Sequence, residues 1–157
     1  MEIRSVDRED FYICGYSVET TLEENDKDIA ALLQSYFHDG KSERIDEIAK
    51  NKGPEYYGLS WYTKLHERYR YLLGKEVVRP QTIPVGAEIK LVPKTHYAVG
   101  SFDRGTDIIQ AWTDFFYSAV PGLGYTPNFE HGYWSEYYPD GMHGKYELWI
   151  PVVKACV

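Results

Sequence analysis

A carboxylate lies among large apolar residues near the end of the chain, in residues 145–153, KYELWIPVV. Successive side chains of a β-strand point to opposite faces, so Glu147 and Trp149 share one face. Leu148 and Ile150 share the other face. A carboxylate that loses water beside indole rings needs a positive partner, because an unpaired buried charge is costly. A plain solvated face for Glu147 is the simpler interpretation of this pattern, and a partly buried carboxylate in an aromatic site is the alternative.

The composition is typical of a globular protein that has an aromatic groove. The chain has 157 residues, which is about one domain, and 43% of them are hydrophobic. Tyrosine outnumbers phenylalanine by 15 to 6, and a phenol ring with its polar tip suits a half-wet groove better than a dry core. The formal net charge is −7, without a cluster of Lys and Arg, which argues against direct nucleic-acid binding.

Features of location and redox state point to the cytoplasm. No apolar run approaches the ~20 residues that a membrane span needs. The N-terminal segment MEIRSVDRED is charged throughout and does not fit a signal peptide. Cys14 and Cys156 lie far apart, as in reduced intracellular proteins. We therefore expect a cytoplasmic protein without membrane association.

The sequence gives no support for a metal, a cofactor or a common catalytic motif. The histidines form neither an HExxH pattern nor a Cys–His combination; they are His38, His66, His96, His131 and His143. The DGKSE segment lacks the upstream glycine of a P-loop, and Ser60 has no Gly-x-Ser-x-Gly frame. We expect neither a cofactor nor a metal.

The apolar pattern predicts the same order of elements twice. The first half has a strand over 11–22, a helix over 26–37 capped by Asn25 or Asp26, a short helix over 42–50, and strands over 56–63 and 69–78. The second half has a strand over 89–102 that breaks at Pro93, a helix over 107–120 with Asp107 or Thr106 near its start, and strands over 129–138 and 145–153.

The two halves can be overlaid, with Tyr12–Gly15 on Tyr97–Gly100 and residues 28–37 on residues 107–116. This predicts an α+β fold of duplicated β-α-β-β units with pseudo-twofold symmetry, an antiparallel sheet and helices on one face. Repeat 1 covers about 1–79, a connector about 80–87 and repeat 2 about 88–157, in a single domain of residues 1–157. A ligand cleft is expected at the junction of the repeats.

Several segments resemble the GyrI-like, or AraC-type effector-binding, domain family. In the second half these are THYAVGSFDRG, AWTDFFYSAVPGLGYTP, FEHGY and YELWIPVV; in the first half they are YYGLSWY and YRYLLGKEV. The family includes drug-binding domains of bacterial multidrug regulators and stand-alone small-molecule-binding proteins. The resemblance implies a stand-alone member, with an aromatic pocket at the repeat junction around a glutamate that meets flat cations.

By position, the resemblance matches that glutamate to Glu147, in a Glu-x-x-Ile-Pro pattern, with Glu130 as the second choice. Many relatives carry a DNA-binding domain, but no segment here corresponds to one. Control of transcription would therefore need a separate, unidentified regulator protein.

Parity along the strands and helical spacing predict which aromatic residues line the pocket. The set is Trp149, Trp61, Tyr57, Tyr71, Tyr133, Trp134, Trp112 and Phe116. Tyr133 and Trp134 point to opposite faces, and which of them faces the cleft stays open.

Three functions fit these residues. The first is binding of hydrophobic, cationic small molecules for sequestration or sensing. The resemblance also implies a hydrolase of strained rings of the cyclopropanoid type, in which Glu147 acts as general base and Tyr71 or Tyr133 as donor. The third is an inhibitor of gyrase type, which would act through an acidic surface on a partner protein.

Overall fold

The computed structural model describes residues 1–79, 82–128, 130, 132–142 and 144–156. The described strands are β1 (Glu2–Arg8), β2 (Phe11–Thr20), β3 (Tyr56–Lys64), β4 (Arg68–Val77), β5 (Glu88–Val92), β6 (Thr95–Phe102), β7 (Tyr125–Pro127), β8 (Trp134–Tyr138) and β9 (Tyr146–Lys154). The helices are α1 (Asn25–His38), α2 (Lys41–Ile48) and α3 (Ile108–Asp114). Helix α3 continues as a π-helical segment (Phe115–Ala119) and a short α4 (Val120–Gly122).

The strands form one antiparallel sheet in the order β1-β6-β9-β8-β3-β4-β2-β5, and β7 pairs with β9. Each half runs strand, helix, strand, strand: β2, α1 with α2, β3 and β4 in the first half, then β6, α3, β8 and β9 in the second. Strands β3 and β8 pair where the halves meet. The α+β fold of duplicated units, predicted from the sequence, is confirmed.

The sheet is strongly curled. Strands β1 and β2 are six positions apart in the sheet order, which in a flat sheet is about 29 Å, yet only residues 9–10 connect them. Residues 93–94 likewise connect β5 to β6 across six positions. The Nζ of Lys94 pairs with Glu9 at 3.2 Å and holds the two connections together. Curling therefore encloses one face of the sheet, which we call the inner face.

All the helices pack on the opposite face, which we call the helix face. Tyr36, Ile45 and Phe115 are completely buried there against strand residues such as Leu73 and Leu148. The inner face has its own core of strand residues, including Ile13, Leu59, Leu72 and Val99, although none of the described helices covers it. Curling of the sheet is what keeps these residues from water.

The structure corrects one local expectation and agrees with two others. Helix α1 starts at Asn25, but neither Asn25 nor Asp26 caps it, and Asn25 Nδ2 donates instead to Tyr69 Oη at 3.0 Å. Asp107 caps α3, as its side chain accepts from the backbone N–H of Gln110 at 3.0 Å. The break at Pro93 separates β5 from β6.

Three further expectations about strands are revised. Strands β1 and β7 were not expected, and β8, the first strand of the second hairpin, begins at Trp134 rather than at 129. Phe129, His131 and His143 lie outside the described residues, as do positions 80 and 81 of the expected connector. The overlay of Tyr12 on Tyr97 is wrong, because Tyr12 packs on the helix face and Tyr97 on the inner face.

No helix in the described part of the chain is long and apolar enough to cross a membrane.

Candidate functional site

The expected pocket residues do not lie together, because the sheet divides them between its two faces. The inner face carries Glu147, Trp149, Trp61, Tyr57 and Tyr133. The helix face carries Tyr71, Trp134, Trp112 and Phe116. Tyr133 and Trp134 lie on opposite faces, as expected: the ring centres of Tyr133 and Trp61 are 5.4 Å apart on the inner face, and those of Trp134 and Trp112 are 6.0 Å apart on the helix face.

Glu147 on the inner face already has a positive partner. Its Oε2 lies 3.1 Å from Arg4 Nη2, and its side chain is 21% exposed. Trp149 Nε1 donates to Oε1 at 3.1 Å, and Ser101 Oγ donates to Oε2 at 3.4 Å. The expectation of an unpaired carboxylate at position 147 is therefore wrong. Its role as the ligand-binding glutamate stays a prediction.

The other aromatic rings of the inner face also meet cations of the chain itself. The guanidinium carbon of Arg8 lies 3.6 Å from the ring centre of Phe11, and 5.7 Å from those of Tyr57 and Trp149. The Nζ of Lys90 lies 4.9 Å from the ring centre of Trp61. The cavity beside Arg8 has a volume of about 10 Å³, which has room for a water molecule and not for an aromatic ligand.

Glu130, the second choice, lies in neither cluster. It is exposed between β7 and β8, and its backbone N–H donates to Asn128 Oδ1 at 3.1 Å. Among the residues that the structure describes, no contact joins its carboxylate to an aromatic ring.

A different carboxylate, Glu136 of β8, lies half-buried on the helix face among aromatic residues. Its Oε1 accepts hydrogen bonds from Tyr138 Oη at 2.8 Å and Tyr71 Oη at 3.0 Å. Its Oε2 accepts one from Trp112 Nε1 at 3.0 Å. The three donors come from β8, β4 and α3, so both halves of the fold position this one carboxylate.

Tyr71 reaches Glu136 because of a glycine on the strand between them. Gly58 of β3 lies directly opposite Glu136, and Tyr71 belongs to β4 on the other side of β3. A Cβ at position 58 would lie 2.3 Å from Tyr71 Oη, closer than any tolerated contact. The missing side chain therefore opens the path across β3 that the phenol takes.

Aromatic rings form the walls around Glu136. Trp112 and Trp134 stack with an interplanar angle of 26°, and Phe116 lies 5.3 Å from Trp134. Tyr138 and Tyr146 lie 5.9 Å apart on the other side. An open groove of about 520 Å³ leads from this side to solvent, and its lining includes Tyr138, Tyr146, Met142 and Ile108 together with the charged residues Arg104 and Asp107, but not Glu136 itself. A flat ligand of moderate size fits such a groove.

In the described part of the chain, the Glu136 carboxylate has neutral hydrogen-bond donors and no ion pair. Burial, and then the charge of Glu136, raise the pKa of the Tyr71 and Tyr138 phenols well above the usual 10.0, so both remain neutral donors. Among the described residues, no Lys, Arg or His forms an ion pair with Glu136. The same residues contain no group of His, Cys, Asp or Glu arranged to hold a metal ion.

The fold and the amino-acid sequence of the chain place it in a known class of proteins. The architecture is that of the GyrI-like effector-binding domains. Within this class, the chain belongs to the family of integron-associated effector-binding proteins (Cass2), whose sequence profile matches residues 4–152. No curated protein sequence matches the chain significantly.

Solved structures share the fold at low sequence identity. The chain is similar to SAV2435, in a structure bound to tetraphenylphosphonium, with 14% identity and a TM-score of 0.78 over 98% of this chain and 94% of that one. It is similar to the integron cassette protein VCH_CASS2 of Vibrio cholerae, with 15% identity and a TM-score of 0.70 over 96% and 95%. It is also similar to the EcmrR C-terminal domain, with 12% identity and a TM-score of 0.64 over 98% of both chains.

Proposed function

We propose that this protein binds hydrophobic organic cations in the aromatic groove of the helix face, with Glu136 as the counter-charge. The observation that carries the proposal is the Glu136 carboxylate, which has three neutral donors and no cationic partner among the described residues. A charge in this position is stabilised by hydrogen bonds but not neutralised. A cationic guest supplies what the chain does not.

Glu136 is a better candidate than Glu147 for a physical reason. A cation that approached Glu147 would have to displace Arg4, and the freed guanidinium would remain close by. At Glu136 no cationic side chain of the described residues has to leave. Both sequence-based expectations, a glutamate and aromatic walls at the repeat junction, are thus retained, but at a different residue and on the opposite face of the sheet.

The groove supports useful affinity with loose selectivity. Each well-placed ring contributes about 0.5–2 kcal/mol of cation–π attraction, and buried apolar area adds ~25 cal/mol/Å². The ligand loses translational and rotational freedom when it binds, and this cost offsets several kcal/mol of the attraction. The remaining free energy corresponds to dissociation constants on the order of micromolar. Contacts of this kind select charge and flatness rather than an exact outline. Such a site suits sequestration of toxic cations, or sensing of them together with a separate regulator protein.

The tetraphenylphosphonium bound to SAV2435 is the kind of ligand that this groove would accept. The likeness to that protein concerns the fold, so it supports the choice of probe. The chemistry of the site is argued from Glu136 and its surroundings.

The test is a calorimetric titration with tetraphenylphosphonium of the parent protein and two matched variants. Glu136→Gln removes the charge on the helix face, and we expect binding at least about tenfold weaker, equivalent to 1.4 kcal/mol. Glu147→Gln removes a charge from the other face and should leave affinity within about twofold. Neutral triphenylphosphine oxide should bind the parent weakly.

The two variants separate the possible failures. Weak binding by Glu147→Gln together with parent-like binding by Glu136→Gln would place the site on the inner face. Equal affinity for the phosphonium and the neutral oxide would refute recognition of charge altogether. Circular dichroism of both variants establishes that the fold is intact.

A further inference from the structure

A histidine of β6 joins three strands through both nitrogens of its ring. His96 lies directly opposite Asp7 of β1 in the sheet. Its Nδ1 lies 2.7 Å from Asp7 Oδ1, and its Nε2 lies 3.1 Å from the Oη of Tyr125 in β7. The ring centres of His96 and Tyr125 are 5.2 Å apart. None of these residues hydrogen-bonds to Glu136, so the cluster is separate from the proposed cation site.

The hydrogen-bond partners of His96 assign a proton to one of its two nitrogens. An ionised aspartate only accepts hydrogen bonds, so Nδ1 of His96 donates to Asp7. In the neutral ring Nε2 is then the acceptor, and the Tyr125 hydroxyl donates to it. Acid, base and hydroxyl follow one another in the same order in nucleophilic triads, which are recognised by geometry rather than by sequence position.

This arrangement makes the phenol of Tyr125 a better nucleophile. When its Oη attacks, Nε2 of His96 takes the proton, and the Asp7 carboxylate stabilises the imidazolium that forms. The side chain of His96 is 31% exposed and Tyr125 is only partly buried, so a small reagent has access to both. We propose that Asp7, His96 and Tyr125 form an acid–base–nucleophile relay that makes Tyr125 a site of covalent modification by activated acyl and sulfonyl compounds.

The probe for this relay is benzenesulfonyl fluoride, because its product with tyrosine is a stable sulfonate ester. In the reaction a bond forms between Tyr125 Oη and the sulfur atom, and the S–F bond breaks. The phenol proton passes to Nε2 of His96, and fluoride leaves. Labelling of each tyrosine in the folded protein is followed over time by peptide mass spectrometry.

Tyr117 is a matched control within the same chain. It is 73% exposed, its ring packs on Phe116, and no histidine among the described residues hydrogen-bonds to it. Exposure alone would make Tyr117 react faster than the partly buried Tyr125. We expect the opposite order, with Tyr125 labelled at least about tenfold faster. Labelling of Tyr117 at an equal or higher rate would overturn the proposal.

Two variants test the relay itself. The amide of His96→Gln can hold the Tyr125 hydroxyl in place but is not a base, so labelling of Tyr125 should fall at least about tenfold while that of Tyr117 is unchanged. Asp7→Asn removes the charge that stabilises the imidazolium, and we expect a fall of about threefold or more. A parent-like rate in His96→Gln would show that the histidine only positions the phenol, and a parent-like rate in Asp7→Asn would remove the acid from the relay; either result overturns the proposal.

Glu136→Gln separates this inference from the proposed binding of cations. Its circular dichroism should match that of the parent, and Tyr125 should be labelled at the parent rate, because the hydrogen bonds of Glu136 go to other residues. A fall as large as that in His96→Gln would show that the rate reports the general state of the fold, and it would overturn the relay.

Discussion

Replacement of Gly58 by alanine tests how the site is assembled. In a strand, alanine usually improves on glycine by about 0.4–1 kcal/mol, because it restricts the unfolded chain. At this position the new Cβ would meet Tyr71, at 2.3 Å from Oη and 2.7 Å from Cζ. The phenol is buried, with 4% exposure, and cannot turn away into solvent. We therefore expect Gly58→Ala to destabilise the protein, opposite in sign to the usual effect.

The magnitude follows from the contacts that are lost. Overpacking in a filled core costs about 1–3 kcal/mol, and loss of the hydrogen bond from Tyr71 to the charged Glu136 costs about 1.5–3 kcal/mol. After the gain from the unfolded state, the net loss is about 1.5–5.5 kcal/mol. Gly53→Ala is the matched control, because a Cβ there meets nothing within 4 Å. It should be neutral or slightly stabilising.

The assay is urea unfolding of Gly58→Ala, Tyr71→Phe and the double variant. Each single variant loses the hydrogen bond from Tyr71 to Glu136, so the double variant loses nothing more from that bond. Tyr71→Phe also removes the Oη atom, which lies closest to the new Cβ. The cost of Gly58→Ala in the Tyr71→Phe background should therefore be at least about 1 kcal/mol smaller than in the parent. Costs that add within about 0.5 kcal/mol would show that Gly58 does not act through the Tyr71 hydroxyl.

Two further predictions concern ionisable groups away from Glu136. Burial raises the pKa of the Cys14 thiol to about 11, whereas Cys156 is exposed, so a thiol reagent at about pH 8 should modify one cysteine in the folded protein and two in urea. Rapid modification of both in the folded state would contradict the burial of Cys14. Burial, opposed by Arg8, raises the pKa of Tyr97 from the usual 10.0 to about 12, so the unfolded chain loses this proton first. The raised pKa means that the protonated Tyr97 phenol stabilises the folded state by about 2.7 kcal/mol, which corresponds to two pKa units. This contribution is fully present below about pH 10 and is lost as the pH rises toward 12. Urea midpoints should fall over this range in the parent and fall less in Tyr97→Phe; a rise with pH would refute the assignment.

Local patterns in the sequence predicted most of the fold. Alternation placed Leu148 and Ile150 together on one face, and both are completely buried. Strand β1 escaped prediction because its residues, EIRSVDR, do not form a continuous apolar face. It becomes a strand by pairing with β6 over residues 2–8, and such pairing between distant segments leaves little trace in the local pattern.

The same limit explains why Glu147 was preferred to Glu136. Both lie in strands beside aromatic residues, and parity shows which neighbours share a face but not which face carries the helices. Arg4, the partner of Glu147, belongs to the strand that was not predicted. The available signal for Glu136 was the segment WSEYY, in which Trp134 and Tyr138 flank the carboxylate at two residues on either side.

The junction of the two halves also explains why a duplicated fold carries one charge there rather than two. Gly58 and Glu136 are directly opposite residues of β3 and β8, the strands that join the halves. Side chains in such positions lie about 4.5–5.5 Å apart, and two carboxylates at that distance would repel until one took up a proton. With glycine at position 58 there is no second carboxylate, and the same vacancy admits the Tyr71 hydroxyl from the first half. One half therefore supplies the charge while the other supplies space and a neutral donor, and this difference between the halves leaves one carboxylate at the position where we propose that a cation binds.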